Sequence, residues 1–540
     1  MEVLTKIRKG GKIKMRHFLW KGKRSTKLTD EVLKKRREDS FMKRIKNILV
    51  ALLSVLTVGV GATACDLGGG SSESGVVSEN SNQASSKEII SSEENSSVEE
   101  SSEEESIEES SSEDDSSVED EEERTPSEGL DYTLSDDGTY YIVTGIGTCT
   151  DTAVIIPSTY NELPVTSIGE EAFRSCSSLT KVVIGDSVTS IGSNAFYKCE
   201  SLTEVVIPSS VTSIGGGTFQ RCTSLTEIEI PDSVTSIGAG AFHKTGYYND
   251  ENNWEDGVLY IGKYFITAKT DITGKNIIKD GTLCISDFAF ENCESLTEVV
   301  IPASVTSIGT TAFTYCSNSS LTEIMVDENN ANYSSIDGNL YNKDATTLIQ
   351  YAKGKTDASF TIPNSVTSID WRAFYNCEGL TKVVIGGGVT SIGIGAFMEC
   401  GSLTEVVIPA SVTSIGYDAF YKCSSLTEVV IPDSVTSIGQ ETFRGCTSLT
   451  SVVIGNSVTS IGMSSFFDCI SLTSVVIGNS VTSIGMSSFF DCISLTSVVI
   501  GNSVTSIDDY AFYGCDGLTE VVIPDSVMSI GILRSEIVVV

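Results

Sequence analysis

A 23-residue period constrains the fold of this chain more than any other feature of its sequence. From about residue 164, cysteines recur at intervals of 23 in three runs, and a phenylalanine stands three residues before each of them. The unit that begins at Leu202 reads LTEVVIPSSVTSIGGGTFQRCTS. A single unit has no closed core, whereas stacked units bury a continuous one. The period therefore predicts a repeat solenoid.

The unit itself predicts two short strands and a turn. The β-branched run LTEVVI predicts a strand with Leu202 and Ile207 pointing inward, and a proline or glycine ends it. V-T-S-I is a second extended piece, and Gly215 is expected to make a tight turn after it. Because Phe219 and Cys222 are spaced i, i+3, the last segment predicts one helical turn with both side chains on one face.

The full pattern L-x-x-V-x-I-P-x-S-V-T-S-I-G-x-x-A-F-x-x-C resembles the BspA-like bacterial surface leucine-rich repeat over about residues 164–531. The resemblance implies a right-handed coil of short parallel β-strands with one helical turn per 23-residue repeat. Residues 129–163 look like the N-terminal cap of such proteins, before a solenoid at 164–540. For function, the resemblance implies adhesion to host matrix proteins or to other cells.

The segment before the repeat predicts export. Residues 42–64 have a basic start, an apolar run and small residues, and Cys65 follows directly. This pattern resembles a bacterial lipoprotein signal, which implies a diacylglyceryl group on Cys65. The alternative is a transmembrane anchor, for which about 17 apolar residues is near the lower limit. Residues 1–41 are interpreted as a basic extension or a wrongly assigned start.

Residues 65–128 predict a disordered tether between this anchor and the solenoid. Residues 66–128 hold twenty-two acidic residues and twenty serines, and no aromatic residue. Such a composition cannot bury enough apolar surface to offset the entropy of ordering. A calcium-binding or phosphorylated tract is the alternative. The net charge of the whole chain is −36, which disfavours nucleic acid as a partner.

Two insertions, at residues 246–283 and 327–360, interrupt the period and predict β-hairpins. They carry the main concentration of aromatic residues in the repeat region, and such residues dominate contact energies at interfaces. The alternative is that these side chains pack inward and enlarge the coil. The candidate contact residues are Tyr247, Tyr248, Trp254, Tyr260, Tyr264, Tyr333, Tyr341 and Tyr351.

A row of glutamates at one outward position of the strand is the second candidate surface, beside a row of outward valines. The alternative is that the repeats copy an ancestral surface residue without any function. The candidates are Glu204, Glu227, Glu405 and Glu428.

No catalytic or cofactor-binding group of residues is recognisable in the sequence. The chain has only two histidines, His17 and His243, and no cysteine pair has zinc-ligand spacing. Neighbouring ladder cysteines lie one coil apart, within reach of a disulfide, but a buried free thiol at each position is favoured. We therefore expect no metal, no cofactor and no enzymatic activity.

The resulting hypothesis is a lipid-anchored, exported solenoid at the cell surface that binds proteins, as a monomer. Residues 455–477 and 478–500 are identical, and a scaffold that tolerates an extra coil favours binding over a broad area. The partners expected are extracellular or cell-surface proteins. The alternative is a structural or glycan-binding component of the cell envelope. The membrane is expected to be contacted only through the lipid.

Overall fold

The computed structural model describes residues 8–9, 12–13, 125–314, 320–532 and 538–539. From residue 131 onward, successive coils each contribute short strands to parallel ladders. The repeat solenoid of short parallel strands that the 23-residue period predicts is confirmed. A separate antiparallel pair joins Arg8–Lys9 to Lys12–Ile13.

The first ladder is formed by the E-V-V segment of most coils. Strands pair in parallel at the same repeat position, so that Lys382 lies beside Glu405 and Val383 beside Val406. Its strands are Ala153–Ile155, Lys181–Val183, Glu204–Val206, Thr273–Ile277, Ser295–Ile301, Glu323–Val326, Ser359–Thr361, Lys382–Val384, Glu405–Val407, Glu428–Val430, Ser451–Val453, Ser474–Val476, Ser497–Val499, Glu520–Val521 and Val538–Val539.

The second ladder is formed by the S-I dipeptide of V-T-S-I. In most coils the threonine before this dipeptide donates its hydroxyl to the carbonyl of the matching threonine one coil earlier, as Thr413 does to Thr390 at 3.1 Å. Its strands are Leu163–Ile168, Ser190–Ile191, Ser213–Ile214, Ser236–Ile237, Cys284–Ile285, Ser307–Ile308, Ser368–Ile369, Ser391–Ile392, Ser414–Ile415, Ser437–Ile438, Ser460–Ile461, Ser483–Ile484, Ser506–Ile507 and Ser529–Ile530.

The A-F-x-x-C segment differs from the helical turn that its spacing predicts. The N–H groups of Phe196 and Lys198 donate to carbonyls of the next coil, those of Thr218 and Gln220, both at 2.9 Å. The N–H of Cys199 donates within its own coil, to Phe196 at 3.2 Å. Lys198 has a φ of 60°, in the left-handed region, so a regular helical turn is not formed. The segment is instead a row of turns that links neighbouring coils.

Glycine after V-T-S-I is required by close approach of neighbouring coils. A Cβ at Gly215 would lie 2.5 Å from the backbone nitrogen of Ser193 in the preceding coil. The φ of Gly215 is not in the left-handed region, so the predicted need for a special turn conformation does not explain this glycine. Any side chain here would push two coils apart.

The remaining elements belong to the cap and the two insertions. In the described residues, the only helices are the α-helix Gly246–Asn249 and the 3-10 helix Glu251–Asn253. The antiparallel strands are Asp131–Leu134, Tyr141–Gly145 and Thr159–Tyr160 in the cap, Trp254–Glu255, Val258–Ile261 and Tyr264–Ala268 in the first insertion, and Tyr333–Ile336, Asn339–Asn342 and Thr347–Gln350 in the second.

The core consists of the inward positions of each coil stacked on one another. Phe420 is fully buried and stacks on Phe397 and Phe443, with ring centroids 5.2 and 5.3 Å apart. Cys423 is also buried, and its thiol donates to the carbonyl of Phe397 at 3.1 Å. The described ladder cysteines are free thiols in this structure, and all are buried except the half-buried Cys176.

Candidate interaction surface

The two insertions continue the solenoid. Strand Tyr264–Ala268 pairs in parallel with Cys284–Ile285, and strand Thr347–Gln350 pairs in parallel with Ser368–Ile369. The second strand of each hairpin therefore occupies the position of a V-T-S-I strand, and its side chains face the core.

Because of this placement, half of the candidate aromatic residues are buried. Tyr264, Tyr341 and Tyr351 are at most 1 % exposed, and Tyr260 is 6 % exposed. Burial raises the pKa of Tyr264 to about 12, with a smaller contribution from nearby Asp232. These four side chains cannot form a contact surface in this structure, and the alternative of inward packing describes them.

The other four candidate aromatic residues are half-buried and occupied by internal contacts. The Tyr247 hydroxyl donates to the carbonyl of Tyr260 at 3.0 Å. Trp254 packs edge-on against Tyr248 and donates its indole N–H to the Tyr248 carbonyl at 2.9 Å. The Tyr333 hydroxyl accepts the N–H of Ile308 at 3.0 Å. These contacts brace the first insertion internally, and the Tyr333 contact joins the second insertion to the coil of Ile308.

The glutamate row is exposed, and its members differ in their partners. Glu204 pairs with Lys181 at 2.7 Å and Glu405 pairs with Lys382 at 2.8 Å, in each case across neighbouring coils. Glu227 and Glu428 make no ion pair with any residue that the structure describes. Exposed pairs of this kind contribute about 0–1 kcal/mol each. The row is thus a partly neutralised surface along the first ladder.

The turn segments of residues 371–513 expose a surface that the sequence reasoning missed. We call it the turn face. It is defined by two residues of each coil. One lies two positions before the alanine of A-F-x-x-C, which is serine or threonine in some coils, and the other directly follows the phenylalanine. Tyr417 is 58 % exposed, Ile394 47 %, Tyr513 44 % and Met486 42 %. The members are Trp371, Tyr375, Ile394, Met398, Tyr417, Tyr421, Gln440, Arg444, Met463, Phe467, Met486, Phe490, Asp509 and Tyr513.

Stacking of the coils orders these side chains into rows. Phe467 stacks on Phe490 at 4.7 Å with parallel rings, and Phe490 stacks on Tyr513 at 5.0 Å. The guanidinium of Arg444 lies 4.6 Å from the ring centroid of Phe467 and 5.9 Å from that of Tyr421. Contacts along a row restrict rotamers before any partner arrives, which lowers the entropy cost of binding.

Charged residues border the turn face. Burial raises the pKa of the Asp418 and Asp468 carboxyls, and the neighbouring acids Glu441 and Asp491 raise them further. Lys422 pairs with Glu399 at 3.1 Å in the adjoining shallow groove. An apolar strip with a charged rim is the usual anatomy of a protein interface.

The turn face is not a consequence of the fold. Apart from Arg174 and Tyr197, the same two positions in the first coils carry small or polar residues, including Ser193, Gly216, Gln220 and His243. Aromatic, methionine and arginine side chains, which are enriched at interface hot spots, are thus concentrated at these positions in the later coils. The available signal was the composition of each repeat position compared between coils.

Other predicted features lie outside this surface. Cys65 and the segments 1–41, 42–64 and 65–128 lie outside the described residues, apart from residues 8–9, 12–13 and 125–128. In the described part of the chain, no helix is long and apolar enough to cross a bilayer. No group of three His, Cys, Asp or Glu residues suited to a metal ion occurs there either.

Comparison with known proteins identifies the repeat. The family model described as BspA type Leucine rich repeat region matches in six copies, over residues 149–273, 260–345, 351–470 and 413–532. No protein of curated function matches the chain.

Solved structures with significant similarity come from several bacteria. A leucine-rich repeat protein from Eubacterium ventriosum is 26% identical over 75% of this chain and 91% of that one, with a TM-score of 0.41. A leucine rich cell surface protein from Faecalibacterium prausnitzii is 30% identical over 70% of this chain and 94% of that one, with a TM-score of 0.36. A leucine-rich repeat protein from Bacteroides ovatus is 26% identical over 74% and 94%, also at 0.36.

Proposed function

The chain belongs to the BspA-type leucine-rich repeat family, and we propose from this that it is an exported adhesin that binds a protein partner through the turn face. The observation that carries the proposal is the row of large side chains at these two repeat positions, among which Ile394, Tyr417, Met486 and Tyr513 are exposed. A protein-interaction role is typical of leucine-rich repeat solenoids. Adhesion to host matrix proteins or to other cells is the specific form proposed, and we expect no catalysis.

The mechanism follows from the geometry of stacked coils. Each coil adds one pair of turn-face residues, so contacts recur along the solenoid axis at the spacing of the coils, about 4.8 Å. A partner can gain affinity from many such contacts without one deep pocket. Rigid aromatic side chains supply large contact area at low entropy cost. In the glycan-binding alternative the aromatic residues of the hairpins would contact the sugars, and that alternative loses support because these side chains are buried or internally bonded.

We propose further that the protein is anchored by a lipid on Cys65 and that residues 65–128 act as the tether. The support is the sequence pattern around Cys65 and the name of the Faecalibacterium prausnitzii protein, a leucine rich cell surface protein. Metabolic labelling with palmitate tests the anchor. Labelling should be lost in Cys65→Ser, and retained labelling would show that the lipid is elsewhere.

A binding screen against immobilised host matrix proteins and against polysaccharides tests the adhesin proposal. The decisive variant replaces Tyr417, Met486 and Tyr513 with serine. Hot-spot side chains cost about 2 kcal/mol or more each when truncated, so the affinity for a bound matrix protein should fall at least tenfold.

The matched control also introduces three serines, in place of three exposed valines of the first ladder. These are Val206, Val407 and Val430, which are 37–38 % exposed. This control should keep its affinity. Binding restricted to polysaccharides, or equal loss in both variants, would refute binding through the turn face.

A further inference from the structure

The first ladder is broken where the first insertion begins. Strand Glu204–Val206 is the last of its sheet, and strand Thr273–Ile277 is the first of the next. The coil between them contains Thr226–Ile230, which is not assigned to any strand and occupies the place of an E-V-V strand. On the opposite side the chain stays in contact, since the N–H of Asp287 donates to the carbonyl of Ile237 at 2.9 Å.

The backbone of Thr226–Ile230 lacks the hydrogen bonds that its counterparts make. The N–H of Thr203 donates to Thr180 at 2.9 Å and that of Thr450 to Thr427 at 2.9 Å, but no such bond joins Thr226 to Thr203. Among the described residues, the backbone groups of residues 226–230 have no main-chain partner. A strand-like segment with free N–H and C=O groups is a template for pairing with another chain.

Strand Thr273–Ile277 presents the matching free edge. It pairs only with Ser295–Ile301, so its other edge faces the break. Ile277 is 66 % exposed, more than almost any other large apolar side chain that the structure describes. Asn276 is 7 % exposed, and its side-chain oxygen Oδ1 has no hydrogen-bond partner.

The unpartnered Asn276 is the observation that points to a missing group. Its register partner is Val299, which in turn pairs with Ile324, so Asn276 stands at an inward position that is otherwise apolar. A buried acceptor without a donor destabilises the fold, because it has lost its hydrogen bond to water. A donor arriving from the open side of the strand would remove that destabilisation.

We propose that this edge receives an extended peptide segment of a partner protein, which adds to strand Thr273–Ile277 as a further strand of the first ladder. Main-chain hydrogen bonds would supply affinity, and alternate side chains would supply specificity, as in other cases of β-strand addition. This site is separate from the turn face and goes beyond the function proposed above.

Register defines the chemistry of the incoming strand. One outward residue would lie between Glu227 and Lys275, and the next would lie between Glu229 and Ile277. Lys275 is already paired with Glu298, whereas Glu227 and Glu229 make no ion pair with described residues. Both outward residues should therefore be lysine or arginine with long apolar stems. The inward residue between them should carry a donor for Asn276, which asparagine or glutamine supplies. The segment recognised is basic–amide–basic.

The probe is a fluorescein-labelled peptide, acetylated and amidated, with the sequence V-T-K-N-K-V-T, and binding to the full chain is followed by anisotropy. We expect saturable binding by the wild type and at least a tenfold loss of affinity in Glu227→Lys. Asn276→Val introduces valine, the residue that the register partner Val299 has in the paired part of the ladder. We expect this variant to fold normally and to bind the peptide with at least fivefold lower affinity. A peptide N-methylated at alternate residues should not bind.

Two controls separate this site from others. Glu428→Lys, at the same outward position in an unbroken part of the ladder, should bind the peptide as the wild type does. The serine variant of the turn face should also retain peptide binding, so failure of either proposal leaves the other standing.

Three results would overturn the proposal. These are no binding of the V-T-K-N-K-V-T peptide, equal binding of its N-methylated form, or equal affinity of Glu227→Lys and Glu428→Lys. Hydrogen exchange provides an independent check, because the amides of residues 226–230 should exchange faster than those of 404–407 in the free protein and slow on peptide addition. Equal protection in the free protein would show that the edge is already paired.

Discussion

The duplicated coils allow a direct test of how much the stacked phenylalanines stabilise the solenoid. Phe466 and Phe467 are adjacent in one coil, but Phe466 is fully buried and Phe467 is half-buried on the turn face. Phe466 stacks on Phe443 at 5.4 Å and on Phe489 at 5.1 Å. Phe467 stacks on one ring, that of Phe490. The same substitution at both sites therefore isolates the effect of position.

Phe466→Ala removes a complete inward side chain and leaves a cavity between rigid neighbours. Burial of a phenylalanine contributes about 1.5–3 kcal/mol, and the residual cavity brings the cost of such truncations to about 3–5 kcal/mol. Phe467→Ala loses one stacking contact and the contact with Arg444 at 4.6 Å, each worth about 0.5–1.5 kcal/mol. We expect Phe466→Ala to lose more stability than Phe467→Ala, for which the two lost contacts sum to about 1–3 kcal/mol.

Hydrogen exchange read by mass spectrometry suits this measurement, because solenoids can open locally and global unfolding need not be two-state. A loss of about 3–5 kcal/mol corresponds to roughly 10²- to 4 × 10³-fold lower protection in the coils around residue 466. Phe489→Ala, in the identical coil, serves as the replicate and should match Phe466→Ala. Similar losses for Phe466→Ala and Phe467→Ala would refute the assignment of the core to the inward ladder.

Three further expectations follow from the electrostatics. Burial raises the pKa of the Cys446 thiol to about 12, so iodoacetamide at pH 8 should not alkylate it in the native protein, and rapid native labelling would contradict its burial. Burial and the Asp491 carboxylate raise the pKa of Asp468, so its charge opposes folding above the folded-state pKa and this penalty disappears as pH falls through that value. Asp468→Asn should therefore raise the free energy of unfolding at pH 7 and have less effect in acid, and an equal effect at both pH values would argue against this coupling. The exposed pair Lys382–Glu405 should contribute about 0.2–1 kcal/mol in a double-mutant cycle and less at high salt, and a salt-independent value would contradict its exposure.

Much of the fold could be predicted from the sequence because, in a periodic sequence, the repeat position of a residue indicates whether its side chain is buried. Once the 23-residue repeat is recognised, Leu202 predicts the placement of Leu403, and both are fully buried. The segment A-F-x-x-C was harder to predict. Its i, i+3 spacing suits a helical turn, but two of its five N–H groups, those of Phe196 and Lys198 in one coil, donate to the next coil. Only a neighbouring coil in place makes the turn conformation favourable.

The candidate site was less predictable, for a physical reason. Tyr264 and Tyr351 lie in segments without a period, so no ladder indicated which way they point, and their hairpin strands proved to be part of the sheet. The turn face shows the opposite case. Tyr417 and Tyr513 occupy a periodic position, but their exposure depends on the turn geometry that stacking imposes.

The sequence by itself determined that this chain is a solenoid, because similar units 23 residues apart can bury their apolar side chains only against one another. It also determined the buried phenylalanine and cysteine positions, which most coils repeat. Tertiary structure alone decided which aromatic side chains face solvent and where the first ladder is broken. Both depend on how an irregular insertion fits between coils, and local sequence does not specify that contact.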